Sequence, residues 1–195
     1  DVTGVQTCAL PILIALARKA PRKLSYATSG TGAAGHLGME LLKQLENVDM
    51  VHVPYKGSAN SRIDLLGGHV DVMFDVLRTA LPFKEAGKVR MLAVAALARQ
   101  SIAPDVPTMD ELGYKGFNVT SWQAILTTAG TPRAVVDRLH QETVKALRLP
   151  DVIEKLATQG GNELVGSSPD EFAATIKAEL AYYAKFIREA GIRLE

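Results

Sequence analysis

A strand candidate runs directly into a glycine-rich turn that opens a helix. Leu24–Thr28 (LSYAT) is β-rich, Ser29–Gly35 (SGTGAAG) is small and flexible, and His36–Glu46 has helical amphipathic spacing. That order demands a βα unit, with the turn at the carboxyl end of the strand. The pattern then repeats. Asp49–Tyr55 (DMVHVPY) alternates as a strand, Lys56–Asn60 is a loop, and Ser61–Leu66 is a short helix closed by Gly67-Gly68. Val70–Asp75 (VDVMFD) is a third strand, Val76–Ala86 a helix ending at Gly87, and Val89–Ala96 (VRMLAVAA) an apolar strand of the buried, parallel type. Strands alternating with helices at this spacing predict an α/β fold with a parallel sheet.

The pattern changes near Ala103, where Pro104, Pro107 and Gly113 mark an irregular connection. Phe117–Thr128 reads as one long extended strand and Glu163–Val165 as a short one. Three helices are expected beyond them. Pro132–Leu149 has Thr131 as N-cap and Pro132 at N1, and Asp151–Gln159 ends at Gly160-Gly161. The last runs from the Ser168/Glu171 capping box to about Ala190, before Gly191. This is too little sheet for an independent α/β domain and reads as half of one.

The first residues do not fit. Asp1–Ile12 (DVTGVQTCALPI) shows no period and no capping logic, and regular amphipathic spacing, a helix tail over Leu13–Ala20, starts only at Leu13. The string VTGVQTCALPI resembles the in-frame translation of a short-read sequencing adapter. Residues 1–12 are therefore set apart as an adapter-like artefact, with the true gene expected to begin upstream. On that reading Cys8, the only cysteine, carries no meaning, and neither does the lack of a signal peptide.

Composition narrows the functional classes. The chain has 195 residues and a net charge of +1, so it has no basic field for nucleic acid or an anionic membrane. Its apolar runs fall short of the ~20 residues of a membrane helix, so no direct membrane insertion is expected. One cysteine excludes a disulfide framework, and the four histidines lack metal-ligand spacing.

Gly30-Thr31-Gly32-Ala33-Ala34-Gly35 matches the dinucleotide fingerprint G-x-G-x-x-G in the right context. A dinucleotide also needs an acidic residue at the end of the next strand, about twenty residues on. That strand ends Val53-Pro54-Tyr55-Lys56, and Asp49 lies at its opposite end. An NAD-dependent Rossmann-type enzyme is thus the weaker alternative, and no cofactor is expected. What remains is an anion site. Unpaired N–H groups at the helix start point outward at the positive end of the dipole, and Thr28, Ser29 and Thr31 add hydroxyls. Tyr55, Lys56, Gly57 and Ser58 end the second strand and rim the same edge. Asp75 ends the third, either to meet a ligand or to cap the helix after it. His36 is read equally as a ligand contact or a packing residue, His52 as structural, and Trp122 as a packing residue or the wall of a cleft.

Together these segments resemble the tripartite tricarboxylate transporter receptor family, also called the Bug family. The resemblance is carried by LSYATSGTGAAGHL (24–37), MVHVPYKGS (50–58), DLLGGHVDVMFD (64–75), AGKVRMLAVA (86–95), PDVPTMDELG (104–113), Trp122 and AGTP (129–132). It implies a type II periplasmic binding protein with two α/β lobes and a ligand cleft. Its implied function is capture of a small di- or tricarboxylate, or related organic acid, for the membrane permease subunits of a tripartite transporter. The implied receptor is periplasmic, monomeric at full length and not an enzyme; a ligand sensor without a transport role is the other receptor reading. The family's first lobe opens with a loop of the P-F-x-P-G-G type, which is not found in this sequence. The resemblance therefore implies a second, ligand-binding lobe over residues 13–116. Residues 117–195 would be a hinge crossing and the C-terminal part of an incomplete first lobe. By matching position, Thr28, Ser29, Gly30, Thr31, Gly32, His36, Tyr55, Lys56, Gly57, Ser58 and Asp75 are the implied ligand contacts. Ala33 and Ala34 stand where relatives often carry hydroxyls, Thr31 where many have Asn, and Val76 where a small polar residue is usual. More of the recognition is thereby left to backbone N–H groups.

Overall fold

The computed structural model describes residues 9–189. Residues 1–8 of the adapter-like segment, with Cys8, and the expected end of the last helix at Ala190-Gly191 lie outside the described residues. Backbone contacts divide the chain into two units, one ending at Ser121 and the other spanning Trp122–Glu189.

The first unit is built on a three-stranded parallel sheet in the order β2-β1-β3. The strands are β1 (Ser25–Thr28), β2 (Val51–Pro54) and β3 (Val72–Met73). Tyr26 stands opposite His52 in one ladder and opposite Val72 in the other. The helices are α1 (Ala9–Lys19), α2 (Ala34–Glu46), α3 (Ser58–Leu66) and α4 (Leu77–Glu85). Each crossover helix links two parallel strands, as the sequence spacing predicts. β1 is central and nearly all buried, and the hydroxyls of Ser25, Tyr26 and Thr28 are each hydrogen-bonded within the chain. Leu10, Ile14 and Ala17 of α1 recur at helical spacing and pack into the core with Tyr26, Met39 and Leu42.

Several expectations need correcting. Among the described residues α1 already covers Ala9–Ile12, ahead of the expected Leu13, and Leu10 is buried. α3 starts at Ser58 rather than Ser61, directly after Gly57, whose φ of 105° is open to glycine and strained for other residues. The third strand shrinks to Val72–Met73, the two residues that pair with Tyr26 and Ala27 of β1. Val89–Ala96 is not a sheet strand. Val94 forms an isolated parallel bridge to Thr108, and Ala95 O accepts from Val119 N–H. The segment is apolar enough for a strand, but its neighbours here are irregular chain and offer no continuous ladder.

In the second unit, α5 spans Arg133–Leu147, α6 spans Pro150–Ile153, and α7 spans Pro169–Glu189. A π-helical turn at Glu154–Thr158 follows α6, so the single helix expected over Asp151–Gln159 is split. Pro132 is the N-cap of α5 rather than N1, and Thr131 Oγ1 donates to Thr128 C=O instead of capping. The Ser168/Glu171 box forms as expected: Ser168 N–H and Oγ donate to Glu171 Oε2 at 2.8 and 2.7 Å, and Glu171 N–H donates back to Ser168 Oγ. Phe117–Thr128 and Glu163–Val165 are not strands, since neither segment has a sheet to join. Trp122 packs edge-to-face on Phe172 at 4.9 Å and donates its indole N–H to Glu179.

Candidate functional site

The site is the carboxyl edge of the three strands, where ligands of open parallel sheets bind. β1 ends at Thr28 and the chain turns through Ser29–Ala33 into α2. Gly32 adopts φ 79°, which a side chain would strain. Ala33 caps α2 without any side-chain hydrogen bond. The N–H groups of Ala34, Gly35 and His36 therefore have no intrahelical acceptor and sit at the positive end of the helix dipole. The loop after β2 is stitched to the glycine loop by two backbone bonds. Tyr55 N–H donates to Thr28 C=O at 3.1 Å and Gly57 N–H to Ser29 C=O at 2.9 Å. The end of β3 approaches from the other side. A Cβ on Gly35 would lie 3.1 Å from Phe74 C=O, so glycine lets α2 start this close to the strand end.

Beneath the loop lies a polar stack. The His36 and His52 rings are parallel at 3.9 Å, and Tyr26 stacks on His52 at 4.9 Å. His36 Nδ1 accepts from Gly32 N–H at 3.0 Å, so the ring holds the loop from behind. Thr28 Oγ1 lies 2.7 Å from His52 Nε2 and also donates to Gly30 C=O. Tyr26 donates its hydroxyl to Glu40, which is also paired to Lys43 at 2.7 Å. Burial is the main cause that pushes His52 down to about 4, with the His36 ring beside it adding to the effect. Burial likewise lowers His36, against the pull of Glu40. Both rings are therefore neutral at pH 7, and His36 can accept the Gly32 bond.

The candidate contacts thus fall into two groups. Thr28, His36 and the Tyr55 hydroxyl face inward; the last donates to Asp64 at 2.6 Å, which raises its pKa. The side chains of Ser29, Thr31, Lys56 and Ser58 make no hydrogen bond or ion pair among the described residues, and the glycines at 30, 32 and 57 expose backbone. Asp75 is held by partners within the chain. Its Oδ1 accepts from Val76 N–H at 2.8 Å, just before α4, and its Oδ2 pairs with Arg62 at 2.7 Å. Arg62, Asp64 and Glu40 were not singled out in the sequence. Their partners are set by the strand order, and no local motif marks them. The register that sets Tyr26 opposite His52, and so brings the rings together, is visible only in the folded sheet.

This edge can bind an anion on backbone amides, but it lacks the carboxylate at the end of β2 that a dinucleotide ribose needs. Residues 7–192 match the family model described as tripartite tricarboxylate transporter family receptor. The chain belongs to that family. A Pseudomonas sp. (strain P51) member, a UPF0065 protein in the tcbD-tcbE intergenic region, is 40% identical over 178 residues, covering 91% of this chain and 53% of that protein. Among solved structures, an R. palustris protein with adipate superposes with a TM-score of 0.83 at 37% identity, over 92% of this chain and 60% of that one. MatC from Rhodopseudomonas palustris with bound malate gives 0.80 at 29% identity, over 91% and 61%. The chain spans about half the length of the first curated relatives it matches. The α/β fold is that of periplasmic binding proteins, and the family is one of receptors rather than of dinucleotide enzymes. Among the described residues, no helix is long and apolar enough to cross a membrane.

Proposed function

We propose that this chain carries the ligand-binding edge of a periplasmic receptor that captures a small organic acid and delivers it to tripartite permease subunits. The observation that carries the reading is the uncapped start of α2. Three backbone N–H groups there can give a carboxylate charge-assisted hydrogen bonds, and Ser29 and Thr31 in the preceding loop carry hydroxyls able to add to them. Adipate and malate in structural relatives fit an acid of that kind. The loop after β2 adds Lys56, Gly57 and Ser58 to the same edge. Binding on amides and hydroxyls breaks no bond, so the protein acts by capture and release rather than catalysis. Residues 13–116 form the ligand-binding lobe, and residues 117–195 the crossing and the C-terminal part of the other lobe.

Isothermal titration of the complete gene product with succinate, malate, adipate and citrate tests the reading. Saturable heat with at least one acid is expected. Absence of heat and of thermal stabilisation across the panel overturns it. Fractionation of the native host should find the protein in the periplasm; recovery in the cytosol overturns the assigned location.

A further inference from the structure

Asp75 poses an electrostatic problem for an anion site. Its carboxylate stands at the end of β3, next to Phe74, which abuts the start of α2. A bare carboxylate there would repel an acid. The structure answers with Arg62, one turn into α3 on the neighbouring loop-and-helix segment. Arg62 Nε donates to Asp75 Oδ2 at 2.7 Å, and the Asp75 side chain is only 7% exposed. The pair uses one of the five N–H bonds of the guanidinium. Nη1 and Nη2 make no hydrogen bond to the protein among the described residues, yet neither is sealed from solvent. The Arg62 side chain is 20% exposed, so its free end opens outward while its Nε is anchored.

We propose that Arg62 is a specificity-determining residue that reads the second anionic group of a dicarboxylate, with Asp75 as the residue that positions it. This rests on the carboxylate-receptor reading above. One carboxylate of the ligand sits on the amides at the start of α2. The other meets the Arg62 fork, whose planar N–H pair matches a carboxylate in two-point geometry. Asp75 neutralises Arg62 when the site is empty and keeps its plane in place. It is thereby committed to an internal partner rather than to a ligand amine.

The test uses the complete receptor, the tightest-binding of succinate, glutarate and adipate, and the monomethyl ester of that acid. Wild type is expected to prefer the diacid to its ester by about tenfold or more. Arg62→Gln alone strands a buried Asp75 charge, so the deciding comparison is Asp75→Asn against the double variant R62Q/D75N. Both lack that charge and differ only in the guanidinium. The double variant is expected to lose about tenfold or more in diacid affinity relative to Asp75→Asn, to bind diacid and ester alike, and to melt within a few degrees of it. Equal diacid affinity in the two variants overturns the role of Arg62 and leaves the receptor reading standing. So does a diacid preference that survives in the double variant. Failure of wild type to bind any carboxylate overturns both.

Discussion

His36 and His52 lie ring on ring in the floor of the glycine loop, and their neutrality has a cost that depends on pH. His52 titrates at about 4 in the folded protein and near 6.5 when exposed. Glu40 favours its charged form, while burial, His36 and Lys43 oppose it. Between those two values the unfolded chain holds more protons than the folded one, so stability falls as pH falls. The contribution is complete above about pH 6.5, lost progressively down to about 4, and flat below. Partial exposure of His52 limits it to the order of 1 kcal/mol. Urea unfolding of wild type and His52→Gln at pH 7.5, 5.5 and 4.5 isolates the effect, because carboxylates such as Glu111 titrate alike in both. The stability gap between the two proteins should narrow towards acid pH. A gap that stays constant removes the histidine stack as the cause.

At the scale of elements, α2 is pressed against the end of β3 through two glycines. A Cβ on Gly38 would lie 2.8 Å from Phe74 Cε2 and 3.2 Å from Val119 Cγ1. Gly38→Ala gains helix propensity but must move the Phe74 ring, which precedes Asp75 in the chain. A net loss of about 1–2 kcal/mol in urea unfolding is expected, together with weaker acid binding. Unchanged stability means that the helix and strand end have room to separate. The glycine loop, α2 and the Ser168 box were legible in the sequence because their signals lie within a few residues: small residues, a helical period, a serine three places before a glutamate. The Arg62–Asp75 pair and the His36–His52 stack were not. Each joins residues more than ten positions apart and depends on β1 lying between its neighbours. Val89–Ala96 misled for the opposite reason. Its apolar composition suits a buried strand, but pairing is a property of two segments.

Across the whole molecule, buried packing is concentrated in the first unit. The second unit leaves Ile125, Leu126, Val165 and Leu180 each about 70% exposed or slightly less, and α5 has no buried residue. Large apolar side chains left exposed in this number promote association. The 195-residue chain on its own should bind a hydrophobic dye and scatter light increasingly with concentration. A monodisperse monomer with a cooperative melt would show that this surface is tolerated.

The order of the strands along the chain has a kinetic consequence. β1, β2 and β3 all fall within Ser25–Met73; β1 meets β2 across one crossover helix, and meets β3 only after α2, β2 and α3 have been made. The sheet is thus contained in one continuous segment, but its parallel pairings are non-local within that segment and form slowly. Once the segment Ser25–Met73 has left the ribosome, all three strands are available to pair, whatever is synthesised before or after it. An export pathway that threads unfolded polypeptide would then have to outrun, or hold open, a segment able to begin pairing before synthesis ends.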